Sequence, residues 1–163
     1  MLDSLTDSAA AALEDLRDLA RGIYPPLLAD QGLGAAIDAQ ARKAVVHTTV
    51  DAGGVGRYLR EVEAAVYFSV LEALNNVAKY ANASRAVVAL SHSNGTLSFE
   101  VRDDGTGFDA KAKAYGTGLQ GMRDRLDAIG GSLVVTSTPG AGTVVTGVVP
   151  VGEAVVESTE ARS

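Results

Sequence analysis

The sequence contains no cysteine, so disulfides and thiolate metal sites are excluded. Aromatic residues make up only 5% of the chain, which leaves the core to Val, Leu, Ile and Ala. No uncharged run approaches the roughly 20 residues that a membrane-spanning helix needs. The first residues, MLDSLTDSAAAALEDLRDLA, carry acids throughout and do not fit a signal peptide. Basic residues are also short: 14 Lys and Arg stand against 20 Asp and Glu, a net charge of −6. Nucleic-acid readers carry a basic face, so no nucleic-acid partner is expected, whereas a small magnesium-bound nucleotide is compatible. The 163 residues, 47% of them apolar, suffice for one cored domain plus a short appendage, and a cytoplasmic location is expected.

Residues 2–23 read as a helix with a heptad seam (Leu2, Leu5, Ala9, Ala12, Leu16, Leu19, Ile23). Such a helix either packs on its own domain or pairs with another chain as a homodimer. Pro25 and Pro26 end it. A second helix is expected over Gly34–Lys43 and a β-branched strand over AVVHTTVD, residues 44–51. Val62, Val66, Val70, Ala73, Leu74 and Val77 then form an apolar stripe on a long helix from about Arg60 to Ala81. Strands follow at 85–91 and 97–103 around Asn94-Gly95, the dipeptide of a tight hairpin. GTGLQGMRDRLDAIGG is a glycine-rich turn feeding a helix capped by Gly130-Gly131, and LVVTSTPGAGTVVTGVVP is two strands around a turn. From Val151 onward the chain reads as a loose tail. Paired strands alternating with helices predict a two-layer α/β (α+β) sandwich: a mixed sheet with helices on one face, preceded by an N-terminal helix.

Four clusters interrupt these elements. Glu72, Asn76 and Lys79 share one face of the long helix, where acid, amide and amine suit a metal-bridged phosphate, or else form a solvated polar stripe. Asp103-Asp104-Gly105-Thr106-Gly107 ends a strand; its glycines allow close approach of a flat ligand and its acid could accept from an exocyclic amine, or the segment is a plain turn. Gly116-Thr117-Gly118-Leu119-Gln120-Gly121 sets backbone N–H groups at a helix N-terminus, where anions are favoured. It does not follow the first strand of a βαβ unit, which demotes a Rossmann reading, and no Gly-Lys-Ser/Thr is present, so it is not a Walker A loop. Gly140-Ala141-Gly142-Thr143 by itself is a hairpin turn.

In order and spacing, the four clusters resemble the asparagine box and three glycine boxes of histidine-kinase catalytic domains. That family belongs to the ATPase superfamily of DNA gyrase and the heat-shock chaperones. EALNNVAKYA, VRDDGTGFD, GTGLQGMRDRL and TPGAGT are similar to its nitrate-sensor-like branch, and RGIYPPLLADQGL to the linker joining dimerisation and catalytic domains. The resemblance runs from about Leu16 to Pro150. It implies a Bergerat-type ATP-binding fold, with ATP and Mg²⁺ as cofactors. By resemblance, Asn76 coordinates the metal, Glu72 supports it and Lys79 contacts phosphate. Asp103 accepts from the adenine amine, with Gly105 and Gly107 admitting the base. Gly116, Thr117, Gly118, Leu119 and Gly121 form the triphosphate loop, residues 109–115 the lid, and Thr143 the adenine end. Tyr80 stands near the phosphates, where the family commonly has histidine.

The resemblance further implies two-component signalling: phosphoryl transfer to a histidine on a dimerisation domain, then to a response regulator. The only histidines, His47 and His92, lie in expected strands with no acid following, so the acceptor is expected outside this chain and little turnover alone is anticipated. The resemblance divides the chain into the end of a dimerisation helix with its linker (1–24), a catalytic domain (25–151) and a tail (152–163). A serine-directed kinase of the anti-sigma type, or a degenerate nucleotide-binding or dimerisation module, remains as an alternative.

Overall fold

The computed structural model describes residues 25–78, 83–106, 116–137 and 139–152. The heptad helix expected at 2–23, the lid at 109–115 and the tail from 153 lie outside the described residues. The first described element is a short helix that the sequence pattern did not reveal, α1 (Pro26–Gln31). Pro26 occupies its first turn, where a missing N–H leaves no intrahelical bond unmade and the fixed φ suits a helix. Gly32, at φ +89°, turns the chain into α2 (Leu33–Lys43), which buries Leu33, Ala36, Ile37 and Ala41 at helical spacing.

Strand β1 (His47–Asp51) is shorter than its β-branched stretch. It exists only where parallel pairing with the next strand begins, at His47 opposite Arg85, and Val45 before it is exposed. Helix α3 (Arg60–Asn76) is regular up to Asn76 and then widens into a π-turn at Val77 and Ala78. Of the predicted stripe, Val62, Val66, Val70, Ala73 and Val77 are buried and Leu74 is half-buried; Tyr67, Phe68 and Leu71 on the other sides are buried too. The helix is buried nearly all round because it meets the sheet on one side and α2 and a later helix on others.

The remaining elements are β2 (Arg85–Ser93), β3 (Thr96–Asp103), α4 (Gly116–Asp127), β4 (Ser132–Ser137) and β5 (Thr143–Pro150). Asn94 (φ +54°) and Gly95 (φ +74°) make the β2–β3 turn with both central residues in the left-handed region, as Asn-Gly favours. Gly130 (φ +80°) ends α4, and Gly131 N–H bonds back to the Leu126 carbonyl at 2.8 Å. Sheet order is β1-β2-β3-β5-β4, parallel between β1 and β2 and antiparallel elsewhere. The mixed two-layer sandwich expected from the sequence is therefore the fold.

Register aligns the inner face in rows across β2, β3, β5 and β4: Val88, Val101, Val145 and Val135; then Leu90, Phe99, Gly147 and Leu133. A Cβ at Gly147 would run into the Phe99 ring, so the glycine makes room for an aromatic side chain spanning two strands. These rows and the helices form one core, while Val87 and Val134 on the outer face stay exposed. Val151 and Gly152, expected to be loose, bond through their N–H groups to the Gly95 carbonyl at 2.9 and 3.0 Å. His92 adds Nε2 to the Gly152 carbonyl at 2.9 Å and Nδ1 to the Tyr58 hydroxyl at 3.0 Å, a structural role. Among the described residues no helix is long and apolar enough to cross a membrane.

Candidate functional site

One inner-face row is unlike the others: Ala86, Asp103, Thr143 and Ser137, at the end of the sheet where β3 stops and β5 starts. It sets a carboxylate and two hydroxyls beside the two apolar rows. Asp103 and Thr143 are both buried. Thr143 Oγ1 and Ser137 Oγ lie 2.7 Å apart, and the Ser137 hydroxyl also reaches the Gly142 carbonyl at 3.3 Å.

Asp103 Oδ1 accepts from Gly105 N–H at 2.8 Å, and the Thr143 N–H also bonds to the carboxylate. Burial pushes its pKa up; the two N–H groups oppose this, and the neighbouring Asp104 charge adds to the rise. The adjacent acids thus have separate tasks. Asp104 is exposed and caps the start of β2: Oδ1 accepts from Ser84 and Arg85 N–H at 2.9 and 3.0 Å, and Oδ2 from the Ser84 hydroxyl at 2.7 Å. Those bonds hold its carboxyl below the ordinary range, the Arg85 N–H contributing most.

The turn at 139–142 is stitched onto the loop after Asp103. Gly140 N–H bonds to the Thr106 carbonyl. Gly142 sits at φ +83°, and a Cβ there would collide with the Asp103 carbonyl oxygen. Gly140 and Gly142 therefore lie against the backbone of Asp103, Asp104 and Thr106, and the close approach is made by backbone. Gly142 was not among the site residues expected from the sequence, although the GxG spacing of the turn contained the signal.

The far end of α3 comes to the same end of the sheet. Val77, beside Asn76, packs against Ala86, whose neighbour in the polar row is Asp103. Glu72 and Asn76 are half-buried on one face of α3. Ser69, one turn earlier on that face, has a fully buried hydroxyl with no hydrogen-bond partner among the described residues. Helix α4 packs on α3 and carries Arg125 over the Phe68 ring, 5.6 Å from its centroid. Burial lowers the Arg125 pKa and the Glu72 charge opposes that, which places the two side chains in each other's field across the helix pair. In the sequence Arg125 was one of several charges on an amphipathic helix, and nothing marked it.

The glycine cluster expected to feed α4 forms its first turns, since the helix begins at Gly116. Leu119 is buried in the core and anchors this end, while Gly121 is exposed with open space where a Cβ would lie. A helical glycine without a packing reason leaves room beside the backbone. Lys79, Tyr80 and Gly107 lie outside the described residues, and Gly116, Thr117 and Gly118 are described by backbone alone. The structure thus brings together Asp103, Gly105 and Thr143 at one sheet end, with Glu72 and Asn76 on the helix above it and Leu119 and Gly121 on the helix beside that one.

A family described as histidine kinase-, DNA gyrase B- and HSP90-like ATPase matches residues 61–153. The chain is 33% identical over 158 residues to the sensor histidine kinase MctS of Rhizobium johnstonii, covering 91% of this chain and 34% of that protein. It is 33% identical over 149 residues to the oxygen sensor histidine kinase NreB of Staphylococcus carnosus, covering 85% of this chain and 42% of that one. The chain thus spans well under half the length of these relatives. Among solved structures, the histidine kinase domain of the blue-light activated histidine kinase of Erythrobacter litoralis EL346 superposes with a TM-score of 0.61. Identity there is 22%, over 89% of this chain and 74% of that one, so the likeness is one of fold.

Proposed function

Because the chain belongs to the family of histidine kinase-, DNA gyrase B- and HSP90-like ATPases, as a histidine-kinase ATP-binding domain of the nitrate-sensor-like kind, we propose that it holds Mg–ATP between the polar sheet end and helices α3 and α4 and presents the γ-phosphate to a histidine on another segment. The observation that carries this reading is Asp103: a buried acceptor on the inner face of the sheet, flanked by a backbone platform that a flat base can approach. Its carboxylate would accept from the adenine amine, and Thr143 beside it would meet the same edge of the ring.

The triphosphate would then extend toward α4, where the N–H groups of its first turn favour anions and Gly121 leaves space. The oxygens of Asn76 and Glu72 are hard donors of the type magnesium takes. Among the described residues no cluster of three or more acidic, histidine or cysteine side chains forms a metal cage. Magnesium would arrive with the nucleotide and keep phosphate and water ligands. When bound, magnesium would neutralise charge on the phosphates, and Lys79 would add to that. Phosphoryl transfer of this kind depends on positioning and charge neutralisation, which these residues supply. With His47 exposed at the start of β1 and His92 engaged by Tyr58 and Gly152, the attacking imidazole would come from a dimerisation domain, and a response-regulator aspartate would be the next acceptor.

Calorimetric titration of the chain with Mg–ATP tests the reading. Binding by the parent, weakened about tenfold or more in Asp103→Ala and weakened also in Asn76→Ala, is expected; no binding by the parent would overturn it. Mixing the chain with a histidine-bearing dimerisation domain should yield acid-labile phosphate, and acid-stable phosphate on serine would replace histidine as the acceptor.

A further inference from the structure

The sheet has two edges, and they are built differently. Strand β1 at one edge runs parallel to β2 and carries His47 and Asp51 exposed at its two ends. Strand β4 at the other edge reads Ser-Leu-Val-Val-Thr-Ser, without charge, proline or glycine. It keeps an unbroken register with β5 from Ser132 to Ser137, and among the described residues no strand pairs with its other side. The open N–H and C=O groups of such a strand are a template for another strand, which charges, prolines and bulges ordinarily block. We infer that β4 pairs with β4 of a second copy of this chain, antiparallel and centred on Val134, so that one sheet runs through both copies.

The occupant follows from the strand's own residues. A two-fold axis through Val134, perpendicular to the sheet, sets Val134 opposite its own copy, Leu133 opposite Val135 and Ser132 opposite Thr136. Each pair shares a face, because its positions are an even number of residues apart. Apolar thus meets apolar and hydroxyl meets hydroxyl throughout. Centring on Val135 instead would set Val134 against Thr136 and Leu133 against Ser137, so the pattern selects the first register. A foreign strand would need the matching order, whereas a second copy carries it by symmetry.

Burial points the same way. Val134, at 61%, is the most exposed large hydrophobic among the described residues. Leu133 and Val135 are half-buried on the inner face. Pairing would cover all three. An edge of six residues is small beside the roughly 1,200 Å² of a standard interface, so the association is weak and rises with concentration. The paired residues 132–136 include none of the nucleotide site, and the inference stands apart from that reading.

Because the chain has no cysteine, a single introduced thiol reports its own surroundings. The whole chain is prepared as Val134→Cys, Val87→Cys or Thr49→Cys and treated with a bismaleimide of short spacer. Val87 is exposed in the middle of the sheet and Thr49 on the other edge, so both report collision and any pairing through the N-terminal segment. Val134→Cys should give cross-linked dimer in about fivefold or greater yield than either, as for directly opposed side chains. Two further pairs of substitutions are added to Val134→Cys. Ser132→Lys with Thr136→Lys sets like charges opposite each other and should bring the yield down to that of the controls. Ser132→Glu with Thr136→Lys sets opposite charges face to face and should keep the yield at or above that of Val134→Cys alone. Along one strand the two positions are about 13 Å apart, so their relative sign matters only between copies. The lysine pair also moves the net charge of −6 toward zero, so general repulsion between copies predicts the reverse order. Equal yields at the three cysteine positions, or equal yields from the two charge pairs, would overturn the inference.

Discussion

Glu63, 2% exposed on the first turn of α3, is held by Arg57 Nε at 3.0 Å, while the same guanidinium donates to the Ala29 carbonyl at the end of α1 at 2.9 Å. Arg57 also reaches the carbonyls of Leu28 and Asp30, and Tyr58 N–H bonds to Glu63. One side chain thus satisfies the open C-terminal carbonyls of one helix and neutralises a buried acid at the start of the next. The arrangement predicts an asymmetry. Arg57→Ala strands a buried carboxylate and should cost about 3–5 kcal/mol, as for breaking a buried pair. Glu63→Gln keeps an acceptor for Tyr58 and leaves a partly exposed arginine, and should cost clearly less. Urea unfolding of both variants reads the difference, and equal losses would contradict the burial argument.

Gly140 and Gly142 have nearly the same left-handed φ, +85° and +83°, yet different surroundings. A Cβ at Gly140 meets nothing, whereas one at Gly142 strikes the Asp103 carbonyl oxygen. Gly140→Ala should cost only the backbone penalty of about 1–2 kcal/mol. Gly142→Ala should cost more and also shift Asp103, so its Mg–ATP affinity should fall further than that of Gly140→Ala. Thermal melts with and without nucleotide separate the two effects.

The sheet and its helices were legible from residue pattern because hydrophobic period, Asn94-Gly95 and the Gly130 cap all act over a few residues. Helix α1 was not, because six residues opening on Pro-Pro read as punctuation until Arg57, 26 or more residues later, supplies the carbonyl partners that end it. Within the site, Asp103 and Asp104 read as an undivided acidic pair; only the alternation of β3 sends one inward and the other to Ser84 and Arg85. Ser137 and Thr143 are six residues apart across a turn, and their contact follows from hairpin register, which the turn residues alone do not fix. Arg125 meets Phe68 and the field of Glu72 through the packing of α4 on α3, a long-range relation that no local spacing encodes.

Gly121 is exposed on α4 between buried Leu119 and Met122, and among the described residues nothing lies within 4 Å of a would-be Cβ. Alanine in such a helical position is favoured over glycine by about 1 kcal/mol. Gly121→Ala should therefore raise the melting temperature of the nucleotide-free chain. If the space beside it belongs to the triphosphate, the same variant should bind Mg–ATP more weakly while adenosine binding is unaffected. A variant that is both more stable and equally tight would remove Gly121 from the site.

Asp103 links stability and binding through pH. Its carboxyl titrates above the ordinary range because it is buried, so between its unfolded and folded pKa values the folded chain holds a proton that unfolding releases. Ionised Asp103 therefore opposes folding at neutral pH, and this opposition fades as pH falls through the folded value. Asp104 works in the reverse sense: its bonds to Arg85 and Ser84 lower its pKa, giving stability that is present above the ordinary carboxylate range and lost as pH falls through its folded value. Without nucleotide, Asp103→Asn should melt above the parent at neutral pH, and the gap should close on acidification. Asp103→Ala, which removes the acceptor, should lose about tenfold or more in ATP affinity, the scale of a hydrogen bond to a charged group. Asp104→Asn should show the opposite stability profile, falling below the parent at neutral pH and converging with it in acid. Melting curves across a pH series distinguish the three, and a parent whose stability carries no trace of Asp103 in the acid range would refute its burial as a charged group.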